Sequence, residues 1–124
     1  MKYHINDGLY IDDAGGKGLG VYTAVNIDAH VNVEYSPVVG NYVNRWSDVP
    51  YELKKVVFSF PQNSDNYVIG LGYLSLYNHD DDSNCMWYSD EGGIVIVANR
   101  SICAGEELCI NYGEGYWSGG WVKV

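Results

Sequence analysis

Short runs in which hydrophobic and polar residues alternate recur along the chain. Between residues 31 and 35, hydrophobic side chains alternate with Asn32 and Glu34, the period of two expected of a half-buried strand. Further short strand-like runs lie at 9–11, 19–24 and 66–71. Glycine and Asx residues separate these runs, as they commonly separate strands. The pattern predicts a mainly β protein.

The second half of the chain extends this prediction. Gly92-Gly93 divides the apolar runs 86–88 and 94–97 as a hairpin turn would, and 107–112 has the pattern of one more strand. We therefore expect short strands along most of the chain.

One segment, 47–57, has the features of a helix N-terminus. Ser47 can cap the first turn, Pro50 suits an early helical position, and Glu52 adds an acidic residue ahead of the apolar positions. We expect one short helix among the small β-sheets.

The composition is that of a single domain, 1–124. The chain has 124 residues and 47% hydrophobic residues, enough for one packed core. No uncharged apolar run approaches the roughly 20 residues that cross a bilayer. The N-terminal Met1-Lys2-Tyr3-His4 has no hydrophobic signal core. We expect a soluble, intracellular protein without membrane contact, in either the cytoplasm or a nucleus.

Charge narrows the choice of partners. Seven basic and sixteen acidic residues give a net charge of −9, which argues against nucleic-acid binding through a broad basic face. The charge favours a basic partner. Acidity is also a common route to solubility, so both interpretations stay open.

The three cysteines give no sign of a structural framework. Cys85, Cys103 and Cys109 form no C-x-x-C or C-x-C pair, so neither a disulfide scaffold nor a thiolate zinc site is indicated. We expect reduced thiols with structural roles and no bound metal.

Four segments carry the functional signal, and they lie at 17–24, 27–39, 71–84 and 104–113. The first contains Gly18-Leu19-Gly20, although a glycine pair before a strand is by itself more often a turn. The third contains Asn78-His79 and ends at Asn84. The fourth runs from Gly105-Glu106-Glu107-Leu108 to Tyr112.

In this order the four segments resemble the SET-domain family of protein lysine methyltransferases. The chain has no cysteine-rich segment after Tyr116-Trp117, so the resemblance is to the minimal SET proteins of large DNA viruses and their phage relatives. Two positions depart from the family pattern. Asp80 stands where the family has Ser, and Ser83 stands where Pro precedes Asn84. These departures leave the path of the loop between Asn78 and Asn84 open.

The resemblance implies the SET fold, with small β-sheets, one short helix and a C-terminal pseudoknot. It also implies methyl transfer from S-adenosylmethionine to a lysine, with Tyr112 as the catalytic residue. The cofactor-binding residues it implies are Lys17, Gly18, Leu19, Gly20, Asn78, His79, Tyr112 and Trp117. The candidates for the substrate channel are Tyr77, Trp87, Ile110 and Tyr116, although a single aromatic is more often a core residue.

The reaction needs a neutral amine, which bears on the role of His79. A lysine with a pKa near 10.4 is neutral at pH 7 in about one molecule in 2,500, a cost of about 4.6 kcal/mol. A fixed positive charge about 4 Å away disfavours the ammonium form by about 4 kcal/mol at an effective dielectric near 20. The sulfonium can thus provide most of the deprotonation, and His79 need not act as a base.

The resemblance also implies individual roles. The Asn78 side chain and nearby carbonyls accept hydrogen bonds from the amino and adenine groups of the cofactor. The Tyr112 hydroxyl lies where amine and methyl group meet and accepts weak C–H···O contacts. Gly18 and Gly20 allow close approach of the main chain. Ile110 lacks a hydroxyl near the channel, so the number of methyl groups transferred stays open.

The expected substrate is a basic, lysine-containing protein segment such as a histone tail. The viral members of the family pair as dimers, so a homodimer is a further hypothesis.

Three alternatives remain. Asp80, Asp82, Asn84 and Glu91 occupy ligand positions of an EF-hand loop, but Cys85 stands at its glycine position and the flanks look extended. A catalytically inert SET-like module that only binds a partner is motivated by the two departures. A β-rich domain without a cofactor would require the four segments to agree by chance.

Overall fold

A computed structural model describes residues 4–43, 46–54, 56–60 and 66–112, and structural statements below refer to these residues. The chain divides into two compact units. The first comprises residues 1–6, 32–76 and 87–96, and the second comprises 7–31, 77–86 and 97–124. The strands are β1 (His4–Ile5), β2 (Leu9–Asp13), β3 (Leu19–Thr23), β4 (Asn32–Val43), β5 (Val57–Ser59), β6 (Tyr67–Gly70), β7 (Asn78–His79), β8 (Cys85–Ser89), β9 (Gly93–Ala98) and β10 (Glu107–Ile110).

The first unit contains most of a six-stranded sheet. Its order is β5-β6-β4-β9-β8, and β1 pairs with β4. The pair β4–β6 is antiparallel, with a register shift between Gly40 and Val43. The core of this unit consists of Val33, Tyr35, Val49, Val68, Leu74, Ile94, Val95 and Ile96.

Residues 33–36 of β4 are buried on both faces, which the alternating pattern did not predict. Glu34 and Ser36 are completely buried, as are their apolar neighbours. The Glu34 carboxylate accepts a hydrogen bond from the main-chain nitrogen of Tyr73 at 2.9 Å, and the Ser36 hydroxyl donates to the carbonyl of Leu71. Burial of these polar groups is tolerated because they have hydrogen-bond partners.

The predicted hairpin forms between β8 and β9. The Asp90 nitrogen donates to the Gly93 carbonyl at 2.8 Å and closes the turn. Gly93 itself lies in β9, where an added Cβ would come within 2.5 Å of the Ser36 carbonyl oxygen and 2.7 Å of the Tyr35 ring. The second glycine is therefore required by packing against β4.

The helical segment lies where the sequence predicted it, but it is divided into two short 3-10 turns. These turns span Trp46–Asp48 and Tyr51–Leu53. Between them Pro50 has φ −54° and ψ 140°, an extended conformation. Pro also disfavours helical geometry at the preceding residue, which separates the two turns. None of the helical turns in the described ranges is long and apolar enough to span a membrane.

The second unit contains a four-stranded sheet in the order β2-β3-β10-β7. The strand β10 is antiparallel to β3 and parallel to β7, and Cys109 and Ile110 are in register with Asn78 and His79. The sheet thus brings the third and fourth predicted segments side by side. The core of this unit consists of Val21, Ile27, Tyr77, Cys85, Ala98, Ile102, Leu108, Cys109 and Ile110.

Two of the cysteines are buried. Desolvation raises the pKa of Cys85 to about 12 and the pKa of Cys109 to about 11. Both are free thiols, as predicted, and Cys103 is a free thiol that is exposed.

Candidate functional site

The glycine-rich segment forms a closed loop before β3. A 3-10 turn spans Gly15–Lys17, and the Ala14 nitrogen donates to the Gly18 carbonyl at 2.7 Å. Gly18 has φ +83°, a conformation that L side chains rarely adopt. Leu19 follows with 56% of its surface exposed. The loop therefore presents main chain and one apolar side chain to solvent.

Gly20 connects this loop with the other two motifs. An added Cβ would lie 2.5 Å from Glu107 Oε2 and 3.0 Å from Asn78 Nδ2. The closer of these two approaches is one that real Cβ atoms do not make, so a side chain at this position would have to displace the end of the Glu107 side chain. The first, third and fourth segments of the sequence pattern meet at this point.

Glu107 lies at the centre of this meeting point. Its Oε1 pairs with Lys17 Nζ at 2.9 Å, and its Oε2 accepts a hydrogen bond from Asn78 Nδ2 at 2.7 Å. Asn78 Nδ2 also donates to the Leu19 carbonyl at 3.0 Å. The hydrogen bond to Glu107 is the main cause that raises the pKa of Lys17. The sequence pattern indicated no role for Glu107, since the Glu-Glu run served only to locate Tyr112.

His79 binds the main chain of Tyr112. The Tyr112 nitrogen donates to His79 Nδ1 at 3.0 Å, and His79 Nε2 lies 2.7 Å from Asp81 Oδ1. Because Nδ1 is an acceptor, the proton of the neutral ring is on Nε2, which donates to Asp81. The imidazole is 8% exposed and tilts against the Tyr112 ring at a centroid distance of 5.2 Å. Both ring nitrogens thus serve the protein itself.

The Tyr112 hydroxyl has a defined direction. It donates to the carbonyl oxygen of Tyr77 at 2.9 Å. Its hydrogen is therefore committed to the main chain, and the phenolic oxygen keeps acceptor capacity for another group.

The loop between Asn78 and Asn84 is called the acidic loop here because it contains three consecutive aspartates, and Asn84 attaches its far end to β10. Its Nδ2 donates to the Glu107 carbonyl at 2.8 Å, and its Oδ1 accepts from the Cys109 nitrogen at 2.9 Å. Asn84 is 5% exposed and pairs with β10 much as a neighbouring strand would. The family motif located this residue, but sequence reasoning did not reveal its role.

The two departures from the family pattern are accommodated within this loop. Asp80 Oδ1 accepts from the Asp82 nitrogen at 2.9 Å, and the Asp80 nitrogen donates to the Ile110 carbonyl at 3.0 Å. The Ser83 carbonyl accepts from Asn99 Nδ2 at 3.1 Å. Asn84 keeps its place on β10 in spite of both substitutions.

The EF-hand alternative finds no support in this arrangement. The side-chain oxygen of Asn84, one of its proposed ligands, already accepts from the Cys109 nitrogen. Within the described ranges, no three side chains of His, Cys, Asp or Glu are placed to hold a metal ion.

The predicted site residues fall into three groups. Lys17, Gly18, Leu19, Gly20, Asn78, His79 and Tyr112 all belong to the second unit, as do the buried channel candidates Tyr77 and Ile110. Trp87 belongs to the first unit, where its ring meets the edge of Phe58 at 5.1 Å. Tyr116 and Trp117 lie outside the described residues.

The chain is similar to known proteins over most of its length. It matches the SET-domain family model over residues 18–113. It is 32% identical over 122 residues to a histone-lysine N-methyltransferase of Schizosaccharomyces pombe described as H3 lysine-37 specific, covering 91% of this chain and 78% of that protein. It is 30% identical to the histone-lysine N-methyltransferase trr of Drosophila melanogaster, covering 90% of this chain but only 5% of that protein.

A solved structure shows the same relationship. A Plasmodium falciparum protein described as a "putative histone methyltransferase" superposes with a TM-score of 0.75 at 25% identity, over 91% of this chain and 99% of that chain. The predictions of a SET fold and of an enzyme of the lysine methyltransferase class are confirmed. The chain belongs to the SET-domain family.

Proposed function

We propose that this chain transfers a methyl group from S-adenosylmethionine to the side-chain amine of a lysine in a basic protein segment. The observation that supports this most is the meeting of three motifs in the second unit. Gly20 lies against Asn78 and Glu107, and His79 binds the main chain of Tyr112. Residues far apart in the chain are thus brought together around Asn78-His79.

The chemistry of this surface suits S-adenosylmethionine. The amino groups of the cofactor are hydrogen-bond donors, and Asn78 Oδ1 accepts no hydrogen bond from any described residue. Gly18 and Gly20 keep the main chain approachable, and exposed Leu19 offers apolar contact. The residues that would hold the cofactor are Lys17, Gly18, Leu19, Gly20, Asn78, His79, Tyr112 and Trp117. When bound, the cofactor supplies an electrophilic methyl group and a positive charge.

Tyr112 is the residue we assign to the transfer itself. Its hydroxyl hydrogen is held by the Tyr77 carbonyl, so its oxygen presents lone pairs to a polarised methyl group or to the lysine amine. The His79 ring keeps Tyr112 in place through the hydrogen bond to its nitrogen. His79 acts in positioning and not as a base, since its Nδ1 is occupied by that nitrogen.

The substrate we propose is a lysine-rich segment of a basic protein such as a histone tail. Two observations support it: the net charge of −9 and the histone-lysine methyltransferases among the relatives. Tyr77, Trp87, Ile110 and Tyr116 remain the proposed walls of the channel. We further propose a soluble protein that acts as a homodimer and stands near the minimal viral members of the family. A monomeric mass in light scattering would contradict the dimer.

The test uses the purified chain, labelled S-adenosylmethionine and a mixture of histones and other basic proteins. Label on lysine, located by mass spectrometry, is the expected result and also reports the methyl number. Cofactor binding in calorimetry without label on any protein would favour the inert module instead. Absence of cofactor binding would overturn the proposal.

A further inference from the structure

We infer that Glu107 is a positioning residue that orients the Asn78 amide so that its oxygen meets an amino group of the cofactor. The inference rests on the proposed function and adds a residue to it. Glu107 is placed to act through Asn78 and Lys17, which are the residues expected to touch the cofactor.

The two partners of the Asn78 nitrogen determine which way the amide points. The Leu19 carbonyl and the Glu107 carboxylate lie 3.0 Å and 2.7 Å from it, and both groups can only accept hydrogen bonds. The amide atom between them must therefore be the nitrogen, which has two hydrogens to give. The oxygen is left as the acceptor of this side chain.

Glu107 is itself held in place by Lys17 and lies close to Gly20. Lys17 Nζ pairs with Oε1 at 2.9 Å, and an added Cβ at Gly20 would lie 2.5 Å from Oε2. The Glu107 side chain is only 16% exposed, so competition from water is limited. Because Lys17 and Leu19 flank Gly18, the same carboxylate also ties the glycine-rich loop to β10.

The neighbouring Glu106 serves a different purpose and provides a matched control. Its Oε2 accepts from the Cys103 nitrogen at 2.6 Å, and its Oε1 lies 3.2 Å from Arg100. Glu106 thus closes the turn before β10 and has no hydrogen bond to any cofactor-binding residue within the described ranges. Glu106→Gln should leave cofactor affinity within about twofold of the parent protein.

The experiment separates amide orientation from a simple ion pair. It compares the parent protein, Glu107→Gln, Glu106→Gln, Lys17→Gln and the exchange Lys17→Glu with Glu107→Lys, and Lys17→Gln measures the effect of losing Lys17 by itself. Calorimetry measures the dissociation constants of S-adenosylmethionine and of S-adenosylhomocysteine, and thermal unfolding measures stability. The exchange restores the ion pair but places a donor-only side chain beside Asn78, whereas Glu107→Gln loses the ion pair and keeps an acceptor.

Glu107→Gln and the exchange should rank in opposite orders for cofactor affinity and for stability. The exchange should weaken cofactor binding by about 10- to 100-fold and Glu107→Gln by less than about fivefold. Stability should fall more in Glu107→Gln than in the exchange. S-adenosylhomocysteine should be weakened as much as S-adenosylmethionine, because the two share the same amino groups and differ in the sulfonium charge.

Four results would overturn the inference. If the variants ranked in the same order for cofactor affinity as for stability, Glu107 would act only as an ion-pair partner. A weakening confined to S-adenosylmethionine would mean that the introduced lysine acts by charge repulsion. Unchanged affinity in all variants would also refute it while leaving the proposed function standing, whereas a parent protein that binds neither ligand would refute both.

Discussion

The two ends of the acidic loop carry the same residue type and use it differently. Asn84, at the far end, is 5% exposed, and both polar atoms of its side chain bind the main chain of β10. Asn78, at the near end, is partly exposed and binds the Glu107 side chain and the Leu19 carbonyl through its nitrogen alone. A polar side chain whose atoms are all used by the main chain maintains the fold. One that keeps an acceptor at a partly exposed position can bind a ligand.

The largest effect on activity is expected at Tyr112, whose main-chain nitrogen binds His79 at the near end of the loop. Tyr112→Phe removes the hydroxyl that donates to the Tyr77 carbonyl. We expect methyl transfer to fall by about 100-fold or more, with cofactor affinity and folding nearly unchanged. Labelled transfer and calorimetry measure the two quantities. Tyr22→Phe is the control, since the Tyr22 hydroxyl only donates to the Asp13 carbonyl. Near-normal turnover of Tyr112→Phe would show that the hydroxyl has no part in the transfer.

The far end should carry the largest effect on stability. Asn84→Ala leaves a buried nitrogen at Cys109 and a carbonyl at Glu107 without their partner. We expect the free energy of unfolding to fall by about 2–4 kcal/mol, measured by urea denaturation. Asn78→Ala should lower it by less than about 1 kcal/mol and instead weaken cofactor binding. Equal losses of stability in the two variants would remove the distinction between the loop ends.

Much of the fold followed from local pattern, and the exceptions have physical causes. The strands at 9–11, 19–24 and 66–71 were predicted because their apolar residues have the spacing of a strand and turn residues flank each run. The burial of Glu34 was not predicted, because alternation indicates one covered face and residues 33–36 of β4 are covered on both. The helix at 47–57 became two turns because Pro50 takes an extended ψ of 140°.

Only part of the site could be predicted from the sequence, for a related reason. Asn78, His79 and Tyr112 were located by the family motif, which names residues but not their partners. The pairing of Lys17 with Glu107 joins positions 90 residues apart, and no local pattern encodes it. The role of Asn84 likewise depends on the main chain of β10, which only the folded structure places beside it.

A smaller effect is expected where the near end of the loop meets Gly20. Gly20→Ala would place a Cβ within 2.5 Å of Glu107 Oε2 and 3.0 Å of Asn78 Nδ2. We expect cofactor affinity to fall by about tenfold and stability by about 1 kcal/mol, because the displaced side chains lie at the partly exposed surface. Gly16→Ala is the control, since nothing lies within 4 Å of an added Cβ there. Equal cofactor affinity in the two variants would contradict the close packing inferred at Gly20.

The smallest effect concerns a side chain that, like Asn84, binds main chain. The hydrogen bond from the Cys103 nitrogen, with help from Arg100, lowers the pKa of Glu106 below its usual value. A carboxylate with a lowered folded-state pKa stabilises the protein above its unfolded pKa, and this contribution is lost as the pH falls through the folded pKa. Because Glu106 is partly exposed, solvent screening keeps the contribution below about 1 kcal/mol.

Glu106→Gln should therefore unfold slightly more easily than the parent protein at pH 7, and the difference should shrink between about pH 5 and pH 3. Urea denaturation across this range measures it, and a difference independent of pH would assign the effect to the amide's geometry and not to the charge.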